Sequence, residues 1–284
     1  MSANAEAIEA WNTVLFDKWE RFREVLTGGL ANHGEAALRR HPPAPGARVL
    51  DVGCGYGDTT RRIAELVGPS GEAVGVDAAE NFVVRAQRDT EARGIPNAHF
   101  RVADVQLDPL GGPYDLAFSR FGVMFFASPV AAFRNVRRSL VPGGRIAFVV
   151  WRRREDNPWL YAAEVRVREM VPEVENSDEP TCGPGPFSMA GADTTTDQLI
   201  AAGFSEITLE RFDAEICIGR DLDEAVEFAM ALGPAGEVLR LAGAEGERLR
   251  PEVARALREV LGAFERADGV FAPSSTWLVS ARSV

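Results

Sequence analysis

Asp51, Gly53, Gly55 and Gly57 alternate with other residues in Asp51-Val52-Gly53-Cys54-Gly55-Tyr56-Gly57, and Asp77 follows Gly55 by 22 positions. These residue types in this pattern suit the holding of a nucleoside. Glycines let a ligand approach the backbone and allow positive φ. An acid at the tip of a following strand can accept hydrogen bonds from both hydroxyls of a ribose. A dinucleotide turn of the G-x-G-x-x-G kind would place a glycine at position 58, where this chain has Asp58. The pattern is D-x-G-x-G-x-G, and it carries no pyrophosphate signature.

The elements that must position these residues can be read around them. An apolar run at 49–52 reads as a buried strand, and Asp58–Val67 as the helix after the glycine turn. A second apolar run, 73–76, ends in Asp77, and a strand over 99–103 ends in Asp104-Val105. Residues 114–119 form a fourth strand. Leu140-Val141-Pro142-Gly143-Gly144 is a turn before a fifth at 145–151. Helices are predicted over 79–93, stopped by Gly94, and over 130–140, stopped by Pro142-Gly143.

These five elements in order resemble the class I S-adenosylmethionine-dependent methyltransferases, in particular bacterial small-molecule members related to quinone and sterol methyltransferases. The resemblance covers about residues 45–150. It implies an α/β fold: a Rossmann-like, doubly wound, seven-stranded sheet, mostly parallel, with strand seven antiparallel between five and six. It implies S-adenosylmethionine as cofactor and S-adenosylhomocysteine as product. Asp51 and the backbone of Gly53, Gly55 and Gly57 would then hold the methionine part. Asp77, with Ala78 beside it, would take the ribose, and Asp104 the adenine amino group, with the Val105 amide facing the ring. Ser119, Arg120 and Phe121, at the exit of strand four, would lie beside the sulfonium and open into the acceptor pocket. Arg120, Met124, Phe125 and Trp151 are the candidate acceptor contacts.

Plainer readings stand beside several of these. Asp104 could be a turn or helix-capping aspartate, Asp51 a strand-end carboxylate bound to local amides, and Met124 and Phe125 core filling. Trp11 and Trp19 lie on one apolar helix face, which suits packing, and Trp19 has a second use against the cationic end of the cofactor. Of the histidines, His99 reads as structural and His41 as exposed, which leaves His33 as the candidate base. The clusters Arg134/Arg137/Arg138 and Arg152–Arg154 read as solvated surface, the latter with an option on an acidic acceptor.

Three regions follow. Residues 1–45 hold an amphipathic helix over 11–26, interrupted at Thr27-Gly28-Gly29, and a second helix to Arg40; they read as a helical lid. Residues 46–151 are the cofactor-binding core, entered through Pro42-Pro43-Ala44-Pro45-Gly46. Residues 152–284 complete the sheet with strands near 206–218 and 275–281 and carry helical insertions, 160–170, 194–202, 222–241 and 245–267, that read as a substrate cap. Residues 172–186 read as a loop rich in proline, glycine and acids.

Composition narrows the partners. With 46% hydrophobic and 26% charged residues, the 284-residue chain is an ordinary globular protein with room for one α/β domain and an addition. No run approaches the roughly 18 apolar residues of a membrane helix, and a cytoplasmic enzyme is expected. Cys54, Cys182 and Cys217 are isolated thiols, which fits a reducing compartment and supplies neither a disulfide framework nor a metal site. A net charge of −11 disfavours nucleic acid. Lys18 is the only lysine, a bias toward arginine that points to a GC-rich bacterial source. The expectation is metal-free methyl transfer to a small, fairly apolar acceptor by a monomer or homodimer. A protein methyltransferase or a non-catalytic cofactor or metabolite sensor is the alternative.

Overall fold

In the computed structural model, residues 4–172 and 184–284 are described. Most of the predicted 172–186 loop, with Cys182, therefore lies outside the described residues. One sheet organises the chain. Its strands are β1 (Arg48–Val52), β2 (Glu72–Asp77), β3 (Ala98–Val102), β4 (Tyr114–Arg120), β5 (Leu140–Trp151), β6 (Phe204–Gly219), β7 (Glu265–Arg266) and β8 (Gly269–Ser283). The order is β3-β2-β1-β4-β5-β8-β6, with the two-residue β7 on the edge of β8. Strands β3 to β5 run parallel, and β8 lies antiparallel between β5 and β6. The expected doubly wound sheet with its antiparallel strand is present.

Strand β1 is buried along nearly its whole length, as a parallel strand covered on both faces must be. Chain order reverses between β1 and β4, so the crevice at their C-terminal ends is the topological switch point, where ligands bind in such folds. Gly53 leaves β1 and Gly122 leaves β4 there, back to back. A Cβ at Gly122 would stand 2.7 Å from the Val52 carbonyl oxygen and 2.9 Å from Gly53 Cα. Helices α5 (Asp58–Val67), α6 (Glu80–Ala92) and α7 (Pro129–Arg138) make the crossovers.

The N-terminal region departs from the prediction. Three short helices, α1 (Ala5–Asn12), α2 (Val14–Arg21) and α3 (Arg23–Gly29), replace the long helix, with α3 running through Gly28-Gly29, and the expected second helix follows as α4 (Ala31–Arg40). A straight helix over 11–26 could not serve the two clusters its residues join. Trp11, Phe16 and Trp19 pack on Tyr56, Ala79 and Phe82, while Phe22, Val25 and Leu26 enter the main core. Gly29 is needed inside its helix, because a Cβ there would meet the Cys217 carbonyl oxygen of β6 at 2.5 Å.

The C-terminal region adds α8 (Pro158–Arg168) and α9 (Ala192–Ala201), then α10 (Leu222–Ala231), α11 (Gly233–Leu241) and α12 (Gly243–Leu261) between β6 and β8. The predicted helix over 222–241 breaks at Leu232, where Gly233 takes φ +78°. The one over 245–267 stops at Leu261. Strand β8 is longer than predicted, and β5 already begins at Leu140, in an irregular register opposite Tyr114 and Leu116. Arg134 and Arg137 are more than solvated surface. They donate to the carbonyls of Ala201 and Ala202 at the end of α9, at 2.8 and 3.0 Å. Among the described residues no helix is long and apolar enough to cross a membrane.

Candidate functional site

Two cavities meet at the switch point. The smaller, about 160 Å3, lies over the glycine turn and is lined by Gly53, Gly55, Asp77, Ala78, Asp104 and Val105 among others. Gly55 has φ +50° and nothing within 4 Å of where a Cβ would stand, so any side chain there would project into this space. The Asp77 carboxylate accepts the amides of Gly55 and Ala79, each at 3.0 Å. One amide per oxygen leaves a lone pair on each for a diol. Burial pushes its pKa up, and those same amides pull against the rise.

Asp104 has its Oδ1 on the Gln106 amide at 3.0 Å, the local turn anticipated as its plainer reading. Its Oδ2 accepts the side-chain amide of Asn4 at 3.2 Å, so the first described residue of the chain reaches the acid proposed for adenine. Arg120 lines this smaller cavity and not the larger one, and its guanidinium pairs with Asp58 at 2.6 Å. Asp58 is the residue that replaced the third glycine of a dinucleotide turn.

Four sequence candidates lie behind the cavity walls. Asp51 is 1% exposed and accepts the Thr60 hydroxyl at 2.6 Å; burial pushes its pKa up to about 7. Ser119 is fully buried and ties β4 to β1 by donating to the Val52 carbonyl at 2.7 Å. Gly57 is a packing glycine, since a Cβ there would meet Phe100 at 2.5 Å and Ala86 at 2.9 Å.

His33 lines neither cavity. It is fully buried beneath Phe121 and Trp151, which face it edge-on at 5.9 and 5.8 Å. Its Nε2 lies 2.9 Å from Ser274 Oγ and its Nδ1 3.3 Å from Thr276 Oγ1. Burial and the charge of Arg120 push His33 down to about 4. A neutral core histidine with both nitrogens facing hydroxyls is not placed to serve as a base.

The larger cavity, about 790 Å3, is mostly apolar. Met124, Phe125 and Trp151 line it as predicted candidates, and α8, α10 and α11 supply its far walls with residues such as Trp159, Phe228 and Leu241. Trp11, Trp19, Leu26, Leu30, Phe121 and Phe125 line both cavities, so one wall separates them. Phe121 sits there with φ +61°, stacked on Trp151 at 4.5 Å. Charged groups enter the wall as well: Lys18, Arg154, Glu164, Arg168, Glu237 and Arg240. Lys18 has its pKa lowered, by burial first and then by Arg240. Sequence reasoning missed most of this set, although a lone lysine on the helix face of Trp11 and Trp19 was a signal. Among the described residues no group of three or more His, Cys, Asp and Glu gathers as a metal centre would need.

A family model described as a methyltransferase domain matches residues 49–144, the stretch from β1 into β5. That stretch is therefore similar to methyltransferase domains. Nocamycin O-methyltransferase from Saccharothrix syringae is 32% identical to this chain over 186 residues, 61% of this chain and 65% of that one. Aklanonic acid methyltransferase DauC from Streptomyces is 36% identical over 109 residues, 37% of this chain and 49% of that one. Ubiquinone/menaquinone biosynthesis C-methyltransferase UbiE from Ectopseudomonas mendocina is 32% identical over 132 residues, 45% and 52% of the two chains. The chain thus spans less than two thirds of the length of each of these relatives. A solved methyltransferase-like structure from Bacillus halodurans superimposes with a TM-score of 0.56 at 15% identity, over 89% of this chain and 99% of that one. It establishes the shared fold.

Proposed function

We propose that this chain moves the methyl group of S-adenosylmethionine to a small, fairly apolar acceptor held in the larger cavity, by in-line displacement without a metal, in the cytoplasm. The observation that carries this reading is the shared wall. One side of it has the glycine turn and the acids of the family, and the other has an apolar space large enough for an organic acceptor.

The residues fit the cofactor. In this reading Gly53 and Gly55 admit it to the backbone, Asp77 holds the ribose diol, and Asp104 with Val105 the adenine. Asp51 acts from behind, by fixing Thr60 and hence the start of α5. Arg120 stands on the cofactor side, where its guanidinium and Asp58 suit the carboxylate and ammonium of an amino acid. The bound cofactor supplies a methyl group already activated by its sulfonium. The protein's task is then alignment and exclusion of water, and alignment alone can be worth about 7–11 kcal/mol. Phe121, Phe125, Trp11 and Trp19 would frame the passage between the cavities, with aromatic faces suited to a cation.

Calorimetric titration of the folded chain, freed of copurified ligand, tests the reading. Micromolar binding of both S-adenosylmethionine and S-adenosylhomocysteine is expected, followed by methyl transfer to a screened phenol, quinol or amine that chelators leave unchanged. Absence of binding by either compound overturns the assignment, and loss of transfer with a chelator overturns the metal-free step.

A further inference from the structure

Among the described residues, the side chains that wall the large cavity include two buried polar atoms without a partner. Trp159 and Glu164, both on α8, are 5% and 3% exposed and line the cavity. Among the described residues, neither the indole Nε1 of Trp159 nor the Oε2 of Glu164 has a hydrogen-bond partner. Buried polar groups are nearly always paired, so an unpaired donor and an unpaired carboxylate oxygen on one cavity-lining helix are the atoms a ligand would satisfy once neighbouring side chains turn aside. The rest of Glu164 is held firmly. Its Oε1 accepts from Arg154 at 2.7 Å and from Arg168 at 3.0 and 2.9 Å, with both arginines also on the cavity wall. Neither Trp159 nor Glu164 lines the smaller cavity, so both lie outside the wall the two cavities share.

We propose that Glu164 and Trp159 form the polar anchor of the acceptor site. They select acceptors that carry a hydroxyl or amine hydrogen for Glu164 and a carbonyl or ether oxygen for Trp159, on a body otherwise apolar. This rests on the methyl-transfer reading for the name "acceptor", but the anchor itself is a binding property. Arg154 and Arg168 orient the carboxylate so that the other oxygen is left for the ligand. A site built to hydrogen-bond a substrate hydroxyl rejects the analogue that lacks it far more strongly than an apolar pocket can.

The test uses two probes of the same ring system, 2,6-dihydroxyanthraquinone and its dimethyl ether. Each is titrated into the full chain in the presence of S-adenosylhomocysteine and followed by displacement of 8-anilinonaphthalene-1-sulfonate. The dihydroxy compound is expected to bind at least tenfold more tightly than the ether. Glu164→Gln should bring it down to the ether's affinity while leaving the ether unchanged. Trp159→Phe should weaken both probes several-fold, since both keep their carbonyls. Thermal melting reports folding, and if Glu164→Gln fails to fold, Glu164→Asp, which keeps the charge and shortens its reach, should still shrink the tenfold ratio. Equal binding of the two probes, binding of neither, or an undiminished ratio in the folded Glu164 variant overturns the proposal. S-adenosylhomocysteine is titrated separately. Its failure to bind, with probe discrimination intact, would remove the methyl-transfer reading and leave the anchor standing.

Discussion

At the scale of single residues, the site rests on atoms that face the smaller cavity and on others that hold them there. Asp77 is of the first kind. Asp77→Ala is expected to weaken S-adenosylhomocysteine binding at least tenfold, because charge-assisted hydrogen bonds are worth about 1.5–3 kcal/mol. Unchanged affinity in calorimetry would show that the acid serves only the amides of Gly55 and Ala79. Gly122 is of the second kind, since its missing Cβ lets β4 leave beside Gly53. Gly122→Ala should lower both the melting temperature and cofactor affinity, because backbone atoms on both sides block relief. An alanine variant that keeps native affinity would mean that the two turns can separate freely. The difference in legibility between these residues has a physical origin. Gly55, Asp77 and Asp104 each lie at or within three residues of a strand's end, so local pattern was enough to place them. Gly122 and Arg120 depend on which strand lies next to which. Successive strand residues point to opposite faces, and this sends Ser119 into the core and Arg120 into the cavity.

At the scale of elements, the core from β1 to β4 was readable because its strands are short and have a glycine or an acid at or just past their ends. In the flanking regions α4, α8 and α9 were readable too, but several helix breaks were not. Those at Thr13, Phe22 and Leu232 answer to partners distant in sequence, Tyr56 and Phe82 on one side and Phe228 on the other. The same is true of Trp159 and Glu164, which sit in an ordinary helical pattern and gain meaning only from the cavity. Adjacent glycines in α3 test how tightly these helices are seated. At Gly28 a Cβ would meet nothing within 4 Å, so Gly28→Ala should stabilise the protein by about 0.5–1 kcal/mol through helix propensity. At Gly29 the same methyl would strike the Cys217 carbonyl, and Gly29→Ala should destabilise by about 1–3 kcal/mol. Urea midpoints decide the matter. Shifts of equal sign would place α3 away from β6 in solution.

At the scale of the whole molecule, two buried groups set opposing dependences of stability on pH. Asp51, behind the glycine turn, is pushed by burial up to about 7, and His33, behind Phe121, is pushed by burial and by Arg120 down to about 4. An acid raised in the fold gives stability that is present below its ordinary value near 4 and lost as pH rises toward 7. A histidine lowered in the fold destabilises it as pH falls from 6.5 toward 4, because the unfolded chain takes up the proton first. Between pH 4.5 and 6.5 the unfolded chain thus gains a proton at His33 where it sheds one at Asp51, and each slope is worth roughly 2.5 kcal/mol across that window. The two oppose each other in the native chain, where Asp77, raised by burial, adds to the slope of Asp51 and His41, lowered by burial, adds to that of His33. Asp213 and Glu224, held low by Arg211 and Arg220, titrate at or below the lower edge and add little. Removing either buried group should expose the other. His33→Gln should lose stability as pH rises through the window, and Asp51→Asn should gain it. Urea unfolding of the three proteins at pH 4.5, 5.5 and 6.5 measures these slopes directly. Parallel slopes in both variants would mean that neither group keeps its shifted proton affinity. Opposite slopes would show that the site's supporting layer, and not its surface charge, sets its response to acid.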